Sequence, residues 1–498
     1  MSKKVVRNKS KRKTKKNKDR GDNTELDIKN NLVNFSDDFY NIYHTLFNIY
    51  DNIQLQIETS KSNLKATIPS YYKCFLFCVR NHIYYKTEVQ HIKKFFDLET
   101  IYSFEKDDLN SINLSQKQLT RLNNIVEDEC PRLIDAFNPL DPQYNIPEEH
   151  AFLYNIYMSF QGFELLRSQM SYKVNVKYQF GDYNGEYNIF IKKKDLLTDK
   201  FTSNTSPLLK QIGTRILFYN VYLSTPRIPI FTIYYSNLKK TTITPLNDNK
   251  LRSFNVNTAA TDTKKKIIIW RREELLKSIF HECNHFHSFD KILDTNMEKI
   301  NKYIFDSIRI DKQSYSQLEL REAYTELIAN LLNIIGVIAF RKSVKHTNKT
   351  CFNNIIKLLK KEINFSNNQT GKILKHFNFK KAEQFLKLSI KSPKSYKSKY
   401  LLSQTTHVIS YYILKSILLI NIGEILSANN NINSNFKIET SPPPLTFVLN
   451  NFGKERIFQL IKTALKEESK WITLINKSMK NKTFKNKTLK MTSVSSDI

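Results

Sequence analysis

The sequence predicts an α+β fold, mostly helical, with a small sheet preceding the helix that carries its most specific motif. Long stretches place apolar residues at helical spacing, while a shorter middle stretch alternates apolar and polar residues as strands do. The sharpest motif follows directly on the last of those strands. A chain of 498 residues, 40% of them hydrophobic, can bury at least one large core and divides by usual domain sizes into two or three units.

The first twenty residues hold eleven Lys or Arg and one acid. Residues 1–24 therefore read as a disordered basic tail, too poor in apolar surface to fold alone. The whole chain carries a formal net charge of +31, and its lysine-rich ends offer a nonspecific site for nucleic acid or another polyanion. No apolar stretch follows Met1, and Cys74, Cys78, Cys130, Cys283 and Cys351 form no paired C-x-x-C. Both observations predict an intracellular, cytoplasmic protein that is not secreted.

Residues 25–170 read as a helical N-terminal region, with Phe39, Tyr40, Tyr43, Phe47 and Tyr50 at helical spacing and further apolar runs at 71–79 and 92–98. His44, His82, His91 and His150 share no motif there and read as structural or surface residues.

The pattern changes at residue 171. Residues 172–178 and 187–191 alternate around a Gly-Asp-Tyr-Asn-Gly turn and predict a hairpin. Residues 215–223, 228–235 and 266–270 are further strand candidates. An extended peptide can pair with a free sheet edge, but whether 267–269 are edge or centre is not legible from periodicity.

Residues 271–290 predict a continuous helix, because Leu275, Leu276, Ile279, Phe280, Cys283 and Phe286 recur at helical spacing with no Pro or Gly between. Glu273 and Glu274 suit its positive end. Beside the apolar face lie His281, Glu282 and His285, an H-E-x-x-H motif. One helical turn, about 6 Å, separates the imidazoles, so both can grip one ion. Glu282 flanks them, placed as a general base toward a water. Cys283 reads as a buried thiol, and His287 falls on another side of the helix.

Residues 314–340 read as a second long helix, too short and polar-striped for a membrane span, with Glu319, Glu322 and Glu326 on one stripe. Glu322 would complete a His, His, Glu set for Zn2+. Glu326, one turn on, can accept the other ring N–H of a ligand His. Glu319 or Glu326 could be the ligand instead, and salt bridging to lysines is the plain alternative for all three.

The pair His281-Glu282-x-x-His285 and Glu322-x-x-x-Glu326 resembles the gluzincin zinc metallopeptidases. Arg321 stands where those proteins often have Asn, and Glu326 where they have Asp. Ser288 and Lys291 occupy the positions where a metzincin needs Gly and a third His, which excludes that subclass. The flank from Asn257 to Glu274 also resembles metallopeptidases of giant DNA viruses. The resemblance implies a zincin-like metallopeptidase domain over residues 171–427, one Zn2+ per chain, a peptide or protein substrate, and, if viral, a place in the virion. It further implies a downstream oxyanion donor, for which His407, with Tyr411 or Tyr412, is the candidate.

Residues 428–476 read as an Asn- and Pro-rich loop and a helix at 454–475, and 477–498 as a second disordered basic tail. A competing expectation is a catalytically inactive zincin-like protein with a structural or nucleic-acid-associated role.

Overall fold

A computed structural model describes the backbone of residues 84–91 and residues 170–180, 183–198, 206–223, 228–242, 250–261, 266–288, 297–340, 348–387, 401–428, 451–480 and 488–494. All of them lie in the unit Leu55–Ile498. The tail 1–24, and residues 25–170 apart from 84–91 and Met170, lie outside the described residues, as do 429–450.

The described part is mostly helical with one mixed sheet. Strands β1 (Tyr84–His91), β2 (Tyr172–Phe180), β3 (Tyr183–Ile191), β4 (Ile230–Tyr234), β5 (Ala259–Thr261) and β6 (Lys266–Ile269) stand in the order β1-β2-β3-β4-β6-β5. Pairs β1/β2, β2/β3 and β5/β6 are antiparallel, whereas β3/β4 and β4/β6 are parallel. The hairpin, β4 and β6 stand where alternation predicts strands. In the hairpin Val174, Val176 and Tyr178 alternate inward opposite Ile189, Tyr187 and Gly185. A Cβ at residue 185 would run into the Tyr178 ring, so glycine is required by the close approach.

Several expectations are corrected. Residues 84–91, within the stretch expected to be helical, form a strand against β2. Residues 215–223, expected to be a strand, are the second half of helix α1 (Pro207–Leu223). Its aromatic and β-branched composition imitates a strand, but the helix starts earlier: Ser206 accepts from the Leu209 N–H and Pro207 occupies the first turn. Leu209, Ile212, Ile216 and Tyr219 are then buried at helical spacing. β6 is internal, and β5 is the edge beside it.

Helix α2 (Leu275–Phe286) follows β6 through Trp270, Arg271 and one 3-10 turn, Arg272–Glu274. It packs on α1, on β5 and β6, and on α3 (Leu320–Phe340). The expected helix 314–340 is divided. Residues Lys312–Gln317 form a 3-10 segment, its start held by Asp311 accepting from the Ser314 N–H at 2.7 Å, and α3 begins at Leu320. By length and composition α3 could cross a bilayer, contrary to the expectation from its sequence, yet nearly all of it is buried inside the domain.

Helix α4 (Asn348–His376) covers α3 on another side. A π-helical stretch, Ile409–Leu414, runs into α5 (Lys415–Ile420) and packs against α3. Helices α6 (Asn451–Ala464) and α7 (Lys470–Met479) stand where one helix was expected. They add Ile457, Ile461, Trp471 and Ile475 to the same core as the sheet and α2, and the Trp471 indole donates to Ser416 Oγ at 2.8 Å. The boundary expected at 427/428 therefore does not divide the hydrophobic core. The expected tail 477–498 is also corrected: α7 extends to Met479, and Leu489, Met491 and Val494 are buried.

Candidate metal centre

Helix α2 runs through the middle of the domain, and every residue in it except His285 is buried. The apolar residues anchor one side against α1 and the sheet. The Tyr219 hydroxyl, from α1, reaches Phe280 O at 3.1 Å and Asn284 Oδ1 at 2.8 Å, which fixes the rotation of α2 about its own axis. The other side turns His281 and His285 toward the start of α3.

Three donor atoms converge there. His281 Nε2 and His285 Nε2 are 3.2 Å apart, and Glu322 Oε2 lies 3.4 Å from each. Glu322 Oε2 is buried and has no hydrogen-bond partner. Burial alone would raise the Glu322 pKa, but His285, His281 and His407 hold it well below the ordinary carboxylate value. For His281, burial opposes a positive charge while Glu322 and Glu326 favour it, and the net shift is upward. These groups converge on a place that favours a cation.

Glu326 Oε2 lies 2.9 Å from His281 Nδ1. Burial works against the Glu326 charge, but Lys277, His281 and Lys415 overcome it and hold the group ionised. An ionised carboxylate only accepts, so Nδ1 carries a proton, and in the neutral ring Nε2 then presents its lone pair toward Glu322 and His285. Both Glu326 oxygens also accept from Lys277 Nζ at 2.8 Å. Glu326 is thus engaged behind the ring and is not among the converging donors.

Glu319 is part of a separate grouping with Glu322 and His407, whose ligand atoms lie within 4.8 Å of one another. It is partly exposed and takes Arg321 at 3.2 Å.

Glu282 points toward β5, where Thr261 Oγ1 donates to its carboxylate at 2.7 Å and lies 3.2 Å from its backbone oxygen. Tyr411, on the π-helical stretch, places its ring 5.8 Å from that of His281 and 6.0 Å from that of His407. Burial, then Glu322, Glu282 and Glu326, keep its hydroxyl protonated well above the ordinary tyrosine range. His407 Nδ1 lies 3.0 Å from the Gln317 carbonyl oxygen; a carbonyl only accepts, so this nitrogen carries a proton. Its other nitrogen can donate only when the ring is charged. Tyr412 belongs to the core, buried near Glu274.

His287 stacks on Tyr219 at 5.5 Å, away from the donor set. Cys283 is buried with its thiol pushed well up, by burial and then by Glu282. Beside His281 a small cleft is bounded by Glu282, Ala259 of the edge strand, Tyr411 and Met491.

Sequence reasoning missed Lys277, Thr261 and Lys415. Only Lys277 left a local signal, a lysine one turn before His281 on an otherwise buried helix. Thr261 and Lys415 reach the site through tertiary contacts alone.

No protein-family model matches the chain, and no solved structure does. A stretch of 177 residues is 31% identical to an uncharacterized protein of Acanthamoeba polyphaga mimivirus, covering 35% of this chain and 41% of that one. The chain thus spans less than half the length of the curated relative it matches. The expected likeness to a giant-virus protein is thus present.

Proposed function

We propose that the chain is a zinc-dependent metallopeptidase whose ion is held by His281, His285 and Glu322. The observation that carries this reading is the donor triangle, with edges of 3.2, 3.4 and 3.4 Å. Ligands about 2.1 Å from a tetrahedral zinc stand about 3.4 Å from one another. The buried, unbonded Glu322 Oε2 is a group that needs a partner, and two neutral imidazoles with one carboxylate are the right chemistry for zinc. An ion there would polarise a scissile carbonyl and acidify the water beside it.

The chain's own residues supply the rest. Glu282, steadied by Thr261, takes the proton of the attacking water and passes it to the leaving amine. The Tyr411 hydroxyl, kept protonated, donates to the oxyanion as it forms, and His407 joins it when charged. Strand β5, the sheet edge beside Glu282, offers unpaired backbone groups to an extended peptide.

The test is zinc per chain by elemental analysis, with turnover on a mixed peptide pool. Wild type should hold about one zinc. Glu322→Ala should lose it, and Glu282→Gln should keep it while turnover falls at least about 100-fold. Folded wild type that takes up no zinc refutes the reading.

The net charge of +31 favours a second reading, an inactive zincin-like structural or nucleic-acid-associated protein. That protein would retain its role in Glu282→Gln and lose it on deletion of the basic residues 1–24. The mimivirus likeness makes a virion or the cytoplasm of an infected cell the place to look for either.

A further inference from the structure

Beneath the donor set lies a buried row of alternating charges. Lys240 Nζ meets Glu274 at 2.5 Å, Glu274 lies 4.0 Å from Lys277, Lys277 meets Glu326 at 2.8 Å, and Glu326 lies 3.9 Å from Lys415. Glu362, also buried, joins the row through its electrostatic attraction for Lys415. Three lysines and three glutamates are thus buried together, and Glu326 is the one that touches a proposed ligand, His281.

Residues 488–494 run along this row. The Leu489 N–H donates to Lys240 O at 2.9 Å, and Thr488 bridges Thr241. The Met491 N–H donates to Glu274, Lys415 Nζ donates to the Met491 carbonyl, and Lys277 Nζ lies 3.6 Å from Met491 Sδ. Thr492 Oγ1, Ser493 N and Ser493 Oγ all donate to Glu362 Oε2, at 3.1, 2.7 and 2.8 Å. Leu489, Met491 and Val494 are buried and tie the segment to the core. It touches every member of the row except Glu326, and so it holds the groups on both sides of Glu326.

We propose that residues 488–494 form a positioning strap for the metal centre: by pinning Glu274, Lys277 and Lys415 they fix the Glu326 carboxylate that orients the His281 ring. The proposal rests on the zinc reading for its functional consequence, though the orientation itself exists without metal. Lys277 already lies between two carboxylates, Glu326 and Glu274. Without the Met491 N–H, Glu274 Oε1 loses its donor, Lys240 and Thr258 both being on Oε2, and draws Lys277 toward itself. Glu326 then loses its nearest cation, and the His281 tautomer loses its anchor. Partners of this kind are typically worth about 10- to 100-fold in metal affinity.

The experiment compares wild type with a chain ending at Lys487 and with full-length Met491→Pro, which removes the N–H that Glu274 accepts together with the thioether beside Lys277 and keeps Leu489 and Val494 as apolar anchors. Trp471→Phe serves as a control, since it loses a buried indole hydrogen bond to Ser416 Oγ in which residues 488–494 take no part. Two signals are read on folded protein. The first is the downfield proton resonance of the His281 ring N–H in metal-free protein, assigned by its loss in Glu326→Gln. The second is zinc affinity by competition with a chromophoric chelator.

The strap predicts that both altered chains lose the resonance and bind zinc about 10- to 100-fold more weakly, while Trp471→Phe keeps both. A synthetic peptide of residues 487–495 should restore both signals to the shortened chain, and the same peptide with proline at position 491 should not. Unchanged resonance and affinity in either folded variant overturn the proposal, as does equal rescue by the proline peptide. If neither altered chain folds, with or without peptide, the segment is a folding element and the positioning role is rejected. Wild type that shows the resonance but takes up no zinc would reject the metal reading and leave the strap to be judged on the resonance.

Discussion

Breaking the Lys277–Glu326 pair gives the most direct measure of what the buried charges contribute. Lys277→Met removes a cation that gives 2.8 Å contacts to both Glu326 oxygens. It leaves Glu326 buried with the His281 ring at 2.9 Å, Asn330 Nδ2 at 3.2 Å and Lys415 at 3.9 Å. Removing one partner of a buried ion pair costs about 3–5 kcal/mol, mostly as the penalty on the charge left behind. The three remaining contacts place Lys277→Met at the lower end, about 3 kcal/mol. Glu326→Gln leaves Lys277 with Glu274 at 4.0 Å and should cost about the same. The double variant strands neither charge and should cost about 1–2 kcal/mol, giving a coupling of about 4–5 kcal/mol. Urea unfolding of the metal-free protein reads these values through Trp270 and Trp471, both buried. Single variants costing under about 1 kcal/mol, with a coupling near zero, would refute the claim that these charges depend on each other.

Three other outcomes follow from the same geometry. Glu274 is depressed from 4.5 to about 2, because Lys240 and Lys277 outweigh the burial that would raise it. Its contribution, about 3 kcal/mol, is complete above pH 4.5 and is lost as pH falls toward 2, since the unfolded chain binds the proton first; urea titrations across that range should show the loss, with a shallower slope in Glu274→Gln. Tyr219→Phe removes the hydroxyl shared by Phe280 O and Asn284 Oδ1 and should cost about 1–2 kcal/mol in thermal or urea unfolding. Gly185→Ala forces the buried Tyr178 ring aside and should cost about 1–3 kcal/mol, measured the same way.

The parts of the fold legible in sequence are those whose signal is local. The hairpin shows as alternation around a Gly-containing turn, and α2 as six apolar residues at helical spacing. His281, His285, Glu322 and Glu326 fall one turn apart in two pairs, so each pair is readable; that the two pairs face each other is a tertiary fact. Residues 215–223, the second half of α1, read as a strand because they are rich in β-branched and aromatic residues, and only the Ser206-Pro207 start reveals the helix. The strap was invisible because Leu489, Met491 and Val494 are too few among lysines to show a period, and their partners lie far away in sequence, Glu274 by 217 positions. Thr261 behind Glu282 left no trace for the same reason.

Helix α3 bears on how the chain is handled while it is made. Its 21 residues are long and apolar enough to span a bilayer, so a nascent chain presents a segment that membrane-insertion machinery can test. Arg321, Glu322, Glu326, Asn330 and Asn333 interrupt that apolarity. A charged side chain well inside a spanning helix costs about 3 kcal/mol on insertion scales, and Glu326 lies deep enough to incur much of that. The carboxylates that gather the histidines therefore also weigh against insertion, favouring the aqueous folding route along which Lys277 and His281 come to meet them.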